Sequence, residues 1–239
     1  MANKKQTLVS RKVIKALHNF SMISSGDRVL IGVSGGKDST LLLREMHLIQ
    51  QHLHWDFKLA ALYVESELSE PKTRYFLQNI CENWEINLHI LSINMQERLK
   101  AHKKMSCYWC STQRRTELIN FAINNEFNTI ALGHHLDDIL ATITMNWMLK
   151  GELEGMAPKV QYKKYPIKLI RPLVYITENE ISKYVQALSL AKHSCTCDYN
   201  SNSQRKTVRK SLEQLTEGSY TLKNNMLQAV INTAWAHLN

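Results

Sequence analysis

The chain has 239 residues, of which 44% are hydrophobic and 21% charged, and it contains only 8 glycines and 4 prolines. This composition is typical of a folded globular protein and excludes collagenous, low-complexity and disordered chains. No stretch has the roughly 20 apolar residues that a membrane helix needs. The basic N-terminus lacks the apolar region of a signal peptide, so we expect a cytoplasmic protein without a membrane segment.

The 30 lysines and arginines outnumber the 21 aspartates and glutamates, and the excess lies in four segments. These segments are residues 1–16, 98–115, 150–171 and 205–210; together they have a net charge of +19, which leaves −10 for the rest of the chain. Each segment alone could be a solvated helix face. Four basic segments in an otherwise acidic chain favour a polyanionic partner such as a nucleic acid.

Hydrophobic patterning predicts an α/β architecture. We predict a helical arm at 7–20, strands at 28–33, 58–64, 86–93, 128–133 and 168–173, a basic loop at 98–110, helices at 40–53, 71–84, 111–125, 136–149 and 177–188, and a helical tail from 203. Strands that alternate with helices imply βαβ units and a parallel sheet with helices on both faces. Ligands bind such sheets at the carboxyl ends of the strands.

The strongest local signal is SGGKDS, between a predicted strand and a predicted helix. Its glycines let the backbone turn tightly and present N–H groups to an anion, and the helix N-terminus and the lysine add positive charge. The pattern therefore predicts a phosphate-binding loop made of Ser34, Gly35, Gly36, Lys37, Asp38 and Ser39. The spacing matches neither GxxxxGK[ST] nor GxGxxG.

This loop resembles the PP-loop of ATP pyrophosphatases, which cleave ATP between the α and β phosphates. The resemblance implies that the loop holds the departing pyrophosphate and that Asp38 binds Mg²⁺ with the phosphates. It also implies that the end of the second strand, from Leu62 to Val64, lies beside the adenine.

The five cysteines are Cys81, Cys107, Cys110, Cys195 and Cys197. Their odd number and the absence of a secretory signal argue against a disulfide framework. The CxxC pair with a distant third cysteine could bind a metal centre, and two reduced structural cysteines are the alternative. We expect Cys81, inside an amphipathic helix, to be a buried core thiol.

Three further segments, GHHLDD at 133–138, NWMLKGELEGMAPK at 146–159 and RPLVYITENEI at 171–181, complete a pattern. With SGGKDS and CxxC they resemble the tRNA 2-thiocytidine synthetase family over about residues 10–190. The resemblance implies an adenine nucleotide α-hydrolase-like PP-loop fold with helical extensions. We accordingly divide the chain into an N-terminal arm at 1–22, a catalytic domain at 23–190 and an extension at 191–239.

The family resemblance also implies the chemistry. A 4Fe–4S cluster bound by three cysteines, with ATP and Mg²⁺, would serve to replace the C2 oxygen of cytidine 32 in the anticodon loop of tRNA by sulfur. Cys107 and Cys110 would be two cluster ligands. The segment around the third cysteine departs from the family pattern. Residues 197–199, followed by spaced arginines, match related thiolases better. We therefore take Cys197 as the third ligand and Cys195 as the alternative.

In the implied mechanism the C2 oxygen attacks the α-phosphate of ATP, pyrophosphate leaves, sulfur attacks C2 and AMP departs. We predict that Asp137 is a general acid/base or metal-linked carboxylate, although its neighbour Asp138 could simply cap a helix. Lys37 would add positive charge at the loop, and Gly133 would adjoin the nucleotide. Arg114 and Arg115 could stabilise phosphate charge or contact tRNA. His134 and His135 could line the site, or they could be packing residues without a direct role.

The basic residues within 98–104, 159–168 and 205–210 are candidates for contact with the tRNA backbone. The sulfur donor would be a cysteine desulfurase or free sulfide, and the family resemblance leaves a homodimer open. Three alternatives compete with this interpretation: a lysidine synthetase, which does not need the cysteines; a 2-thiouridine synthetase, which has additional zinc-finger cysteines; and a metal-stabilised, non-catalytic RNA-binding protein, which has no need of both SGGKDS and GHHLDD.

Overall fold

The computed structural model describes residues 7–53, 55–99, 105–188 and 204–236. In chain order the elements are α1 (Leu8–Asn19), β1 (Asp27–Val33), α2 (Lys37–Leu53), β2 (Phe57–Ser66), α3 (Pro71–Asn83), β3 (Asn87–Ile93), α4 (Met95–Arg98), α5 (Cys107–Asn124), β4 (Thr129–Ala131), α6 (Leu136–Lys150), β5 (Lys159–Gln161), β6 (Lys168–Ile170), α7 (Glu178–Ala187), α8 (Gln204–Thr216) and α9 (Tyr220–Thr233). The alternation of strands and helices from β1 to α6 confirms the predicted α/β class.

The six strands form one sheet in the order β3-β2-β1-β4-β6-β5. All neighbours are parallel except β5, which runs antiparallel to β6 at the edge. The sequence did not predict β5, because three residues are too few to show a period. The predicted strand at 168–173 is too long, since β6 ends at Ile170 and Pro172 has no N–H for a ladder.

Helices cover both faces of the sheet, as predicted, and alternate residues of β1 pack against opposite faces. Val29, Ile31 and Val33 belong to one buried cluster, which includes apolar residues of α2, α3 and α6. Leu30 points into a second cluster, with residues of β2 and α5. Burial on both faces explains why this strand is a continuous apolar run rather than an alternating one.

The N-terminal and C-terminal helices share the core of the sheet. Val13 of α1, Leu212 of α8 and Leu227 of α9 lie in the same buried cluster as Ile31 of β1. None of the helices in the described part of the chain combines the length and the apolar character that crossing a membrane requires.

The largest local correction concerns the segment predicted as a loop at 98–110. Helix α5 begins at Cys107 rather than at 111, because Ser106 caps it by accepting a hydrogen bond from the Trp109 N–H at 3.2 Å. The CxxC pair therefore lies in the first turn of a helix. Cys81 is buried as predicted, and burial raises the pKa of its thiol to about 11.

Candidate functional site

The SGGKDS segment joins β1 directly to α2 at the carboxyl edge of the sheet. Gly35 has φ +75°, a conformation that favours glycine, and this allows the chain to reverse within the loop. The Ser39 hydroxyl fixes the turn, since it accepts from the Ser34 N–H and donates to the Gly36 carbonyl, both at 3.1 Å. Helix α2 begins at Lys37, three residues earlier than predicted, so Lys37 and Asp38 stand on its first turn.

Gly133 packs against the backbone of this loop. A Cβ at position 133 would lie 3.0 Å from the Asp38 carbonyl carbon and 3.0 Å from the Ser39 nitrogen. Neither backbone atom can move as a side-chain end could, so the close approach requires glycine. The GHHLDD segment after β4 is thereby held against the SGGKDS loop after β1, in agreement with β1 and β4 being neighbours in the sheet.

A cavity of about 200 Å³ opens beside the loop, between the ends of β1, β2 and β4 and the first turns of α5. Its lining includes six residues that the sequence singled out, namely Ser34, Leu62, Val64, Arg114, Arg115 and His134. Leu62 and Val64 form an apolar wall, while Arg114 is oriented by a 3.2 Å hydrogen bond to the Ser66 hydroxyl. An apolar wall next to an anion-binding loop and a guanidinium suits a nucleotide.

Lys37 is held by two carboxylates. Its Nζ lies 2.8 Å from Asp38 Oδ1 and 2.6 Å from Glu178 Oε1 at the start of α7. Burial opposes the charged form, but the hydrogen bonds to Asp38 and Glu178 outweigh it and raise the pKa of Lys37. The lysine therefore stays cationic at the mouth of the loop, as the predicted role requires.

Glu178 connects the loop to a second group of charges. Its Oε2 lies 3.2 Å from His135 Nε2 and 3.0 Å from an Arg209 guanidinium nitrogen on α8. The hydrogen bond with His135 is the main cause that lowers the pKa of Glu178, to about 2, and Lys37 adds to it. Glu178 is thus an anion shared by three cations on three separate elements.

His135 lies in the interior of this group, with 1% of its surface exposed. Nε2 also lies 3.3 Å from Asp138 Oδ2, and Nδ1 lies 3.6 Å from Asp137 Oδ2. Burial opposes protonation, but Asp137 and Glu178, helped by Asp138, raise the pKa of His135 to about 9. A guanidinium nitrogen of Arg209 also lies 3.0 Å from Nε2, next to the same carboxylates.

Asp137 does not have the surroundings of a proton carrier. Its Oδ1 pairs with Lys223 of α9 at 2.6 Å, and its Oδ2 accepts from the Glu178 N–H at 2.7 Å. Burial would raise the pKa of Asp137, but the contacts with His135 and Lys223 lower it well below its usual range. These contacts make Asp137 an anchor for α7 and α9, and its role as a general acid/base or metal-linked carboxylate stays a prediction.

The neighbouring Asp138 takes the helix-capping role that the sequence left open. Its Oδ2 accepts from the His135 N–H at 3.3 Å, and its Oδ1 pairs with Arg209 at 3.1 Å. His134, in contrast, lines the cavity. Burial, with Arg171 and Arg115 nearby, lowers the pKa of His134 to about 3, so this histidine is neutral at pH 7.

The CxxC pair lies at the N-terminal end of α5, with Cys107 exposed and Cys110 half-buried. The same helix continues into Ser111 and Arg114, which line the cavity, so the cysteine turn adjoins it. Within the described ranges, no three histidine, cysteine or acidic side chains are grouped as a metal site would require. The predicted third ligand, whether Cys197 or Cys195, lies outside the described residues.

The structure reassigns several cations that the sequence offered for nucleic-acid contact. Lys168 pairs with Asp27 at 2.5 Å, and the Lys159 ammonium donates to the Ser21 carbonyl at 2.8 Å. Arg209 pairs within the fold, as described above. Among the described residues of these segments, the exposed lysines are Lys163, Lys164, Lys206 and Lys210.

Sequence reasoning assigned no role to three of the charged residues that the fold brings to this edge: Arg171, Glu178 and Lys223. The RPLVYITENEI segment contains Arg171 and Glu178, and its resemblance to the family was a signal that could have drawn attention to them. Lys223 lies in an ordinary helical stretch without a motif, so the sequence offered no such signal.

Comparison with known proteins identifies the family of the chain. A PP-loop domain model matches residues 6–216, so the fold and loop define a PP-loop nucleotide-binding protein. A tRNA-cytidine(32) 2-sulfurtransferase of Coxiella burnetii (strain RSA 493 / Nine Mile phase I) is 32% identical over 232 residues, which cover 94% of this chain and 90% of the relative. Its counterpart in Anaeromyxobacter dehalogenans (strain 2CP-C) is 29% identical, with coverage of 95% and 80%. The chain belongs to this sulfurtransferase family within the PP-loop class.

Solved structures show the same fold. The U34-tRNA thiolase NcsA from Methanococcus maripaludis, solved with its [4Fe-4S] cluster, superposes with a TM-score of 0.73 at 24% identity, with coverage of 94% of this chain and 79% of the other. An NMN synthetase from Francisella tularensis superposes with a TM-score of 0.50 at 14% identity, over 92% and 85% of the two chains. These likenesses concern the fold.

Proposed function

We propose that the protein is an ATP-dependent tRNA sulfurtransferase that replaces the C2 oxygen of cytidine 32 in the anticodon loop by sulfur. The observation that carries the proposal is the cavity described above. It places the SGGKDS loop, the apolar wall of β2 and the arginines of the CxxC helix around one space. The curated relatives, named for this reaction, give the substrate.

In this proposal the chain's residues divide the work by position. Leu62 and Val64 contact the adenine, and the backbone N–H groups of residues 34–39 hold the phosphates. Lys37 exchanges its contact with Glu178 for one with the pyrophosphate. Asp38 holds Mg²⁺ with the phosphates. Arg114 stabilises the charge that develops at the α-phosphate when the C2 oxygen attacks it and pyrophosphate leaves.

The cysteines present fit an iron–sulfur cluster as far as the described chain extends. Cys107 and Cys110 are three residues apart in the first turn of α5, with Cys107 exposed and Cys110 half-buried. Cys197 completes the set in our proposal, with Cys195 as the alternative. The cluster would supply the sulfur that displaces AMP from C2, with a cysteine desulfurase or sulfide as the source. Dimer formation and a cytoplasmic location belong to the same proposal.

Nucleoside mass spectrometry of bulk tRNA tests this function directly. Deletion of the gene should abolish 2-thiocytidine, and the wild-type gene should restore it. Cys107→Ser should fail to restore it although the protein folds and binds ATP, because Cys107 is exposed and not part of the core. Cys81→Ser, the control, removes the thiol of a buried core residue, and this variant should restore the modification.

The outcome separates the proposal from its competitors. Loss of 2-thiouridine or lysidine instead of 2-thiocytidine would keep the ATP chemistry and overturn the assigned base. Unchanged tRNA, with one zinc and no acid-labile sulfide in the purified protein, would favour the RNA-binding alternative. Asp38→Ala should abolish ATP–pyrophosphate exchange, and unchanged exchange would remove Asp38 from its assigned role.

A further inference from the structure

Arg171 is a buried cation to which the described part of the chain offers no counter-ion. Only 8% of its surface is exposed, and in the part of the chain that the structure describes its guanidinium donates to one acceptor, the Ala157 carbonyl. Its Nε has no hydrogen-bond partner, and no carboxylate of the described residues pairs with it. A buried charge without a partner is costly, so a fold that keeps one has a use for it.

Arg171 lies at the carboxyl edge of the sheet, where the cavity opens. It follows Ile170 of β6, which pairs with Ala131 of β4, and the Leu132 N–H donates to the Ile170 carbonyl at 3.0 Å. Three residues after the end of β4 comes His134, which lines the cavity and whose Nδ1 is buried without a partner among the described residues. An arginine and a hydrogen-bonding imidazole therefore adjoin at the same edge, both with unused polar atoms.

Arg115 adds a second cation to this place. It is exposed and lines the cavity with His134. Burial is the main cause that lowers the pKa of Arg171 to about 10, and the charge of Arg115 is the next. The same two arginines hold the pKa of His134 low. The group thus comprises two guanidinium cations and one neutral imidazole, which together suit an anion.

We propose that Arg171, Arg115 and His134 form a subsite for one phosphodiester group of the RNA substrate. The inference rests on the proposed function and extends it to a recognition site. Arginine matches a phosphate with two parallel hydrogen bonds, whereas lysine provides a single charged centre. The neutral imidazole adds a hydrogen bond and no charge.

The order of the strands favours RNA over ATP as the source of this phosphate. Leu62 and Val64 are on β2, the SGGKDS loop follows β1, and Arg171 follows β6, on the other side of β1 from β2. A nucleotide that extends from β2 to the loop already has its phosphates bound there.

The test measures binding of an unmodified tRNA transcript to the full-length protein by fluorescence anisotropy over a range of NaCl concentrations. Arg171→Met should weaken binding about tenfold, since a hydrogen bond to a charged group is lost. It should also lower the slope of log affinity against log salt by about 0.7 to 0.9, the share of one phosphate. The affinity for ATP, measured by calorimetry, should not change.

Two further variants keep the test decisive. Arg115→Met removes an exposed side chain, is tolerated by the fold, and should lower the slope by the same amount. Arg28→Met is the matched control, because Arg28 also has an unpartnered Nε but lies at the start of β1, against Phe127 at the other edge of the sheet. It removes the same charge and should leave tRNA affinity and slope as in the wild type.

The outcomes are distinct. Weaker ATP binding with unchanged tRNA binding by Arg171→Met would overturn the proposal and assign the anion to ATP. Weaker tRNA binding with an unchanged slope would make Arg171 structural, through its bond to Ala157. A slope that Arg115→Met leaves unchanged would overturn the proposal even if Arg171→Met does not fold. Failure of the proposed function would show differently, as wild-type protein that thiolates no tRNA.

Discussion

The charge group around His135 predicts that the protein loses stability in mild alkali. His135 is buried and its pKa is raised from 6.5 to about 9 by Asp137, Glu178 and Asp138. A raised pKa means that the folded state binds the proton more tightly than the unfolded state. The stabilisation is therefore complete below pH 6.5 and is lost as the pH rises to about 9.

The size of the effect follows from the shift. The difference between 6.5 and about 9 corresponds to about 3 kcal/mol of unfolding free energy, at about 1.4 kcal/mol per pH unit. His134 contributes nothing to this interval, because its lowered pKa places its own effect below pH 6.5. The predicted loss is thus a property of one of two adjacent histidines.

Urea unfolding followed by circular dichroism at pH 6.5, 7.5, 8.5 and 9.5 measures the loss, with reversibility checked at each pH. The wild type should lose about 3 kcal/mol across the series. His135→Gln should be less stable at pH 6.5 and should show little further loss, whereas His134→Gln should keep the wild-type pH dependence. The reasoning is refuted if the wild type loses less than about 1 kcal/mol, or if His135→Gln loses as much as the wild type.

Three other changes have definite expected results. Gly133→Ala forces a methyl group to within 3.0 Å of the loop backbone, so it should lower the unfolding free energy by about 1–3 kcal/mol and weaken ATP binding in calorimetry. Gly32→Ala, whose new methyl meets leucine side-chain ends at 3.1 Å, should lower both quantities less. Lys223→Met removes the ammonium partner of the buried Asp137 carboxylate, which keeps only His135 and the Glu178 N–H, and should lower the unfolding free energy by about 3–5 kcal/mol. Lys210→Met, at an exposed position, should be neutral in the same urea titration. Wild-type tRNA binding should weaken steeply between 50 and about 200 mM salt, and a flat response would contradict the polyanion interpretation of the basic segments.

The sequence predicted the parts of the protein that depend on local pattern. The parallel sheet followed from apolar runs separated by amphipathic helices, and SGGKDS carried its own geometry because its glycines and hydroxyls act within six residues. The cavity lined by Ser34, Leu62 and Arg114 was predictable because the carboxyl ends of parallel strands meet at one edge.

What the sequence could not predict depends on pairs far apart in the chain. Asp137 looked like a catalytic carboxylate because its motif resembles a catalytic segment. Its partner Lys223 is 86 residues away and belongs to no motif. The basic segments were overestimated for the same reason: the acceptor of Lys168 is Asp27, which is 141 residues away and which no sequence periodicity connects to it. Charge counts show that cations are present, but only the fold shows which of them are already paired.

Glu178 shows how the C-terminal helices take part in the site rather than merely extending the fold. A single carboxylate contacts Lys37 of the loop, His135 before α6 and Arg209 of α8, at 2.6, 3.2 and 3.0 Å. A phosphate that binds Lys37 competes with Glu178 for the same ammonium group. Glu178 then keeps His135 and Arg209 as its partners, so the carboxylate still joins α7 to α8. Because α8 begins at Gln204, seven residues after Cys197 in the chain, the charge contacts of the nucleotide loop reach the helix that follows the two cysteines.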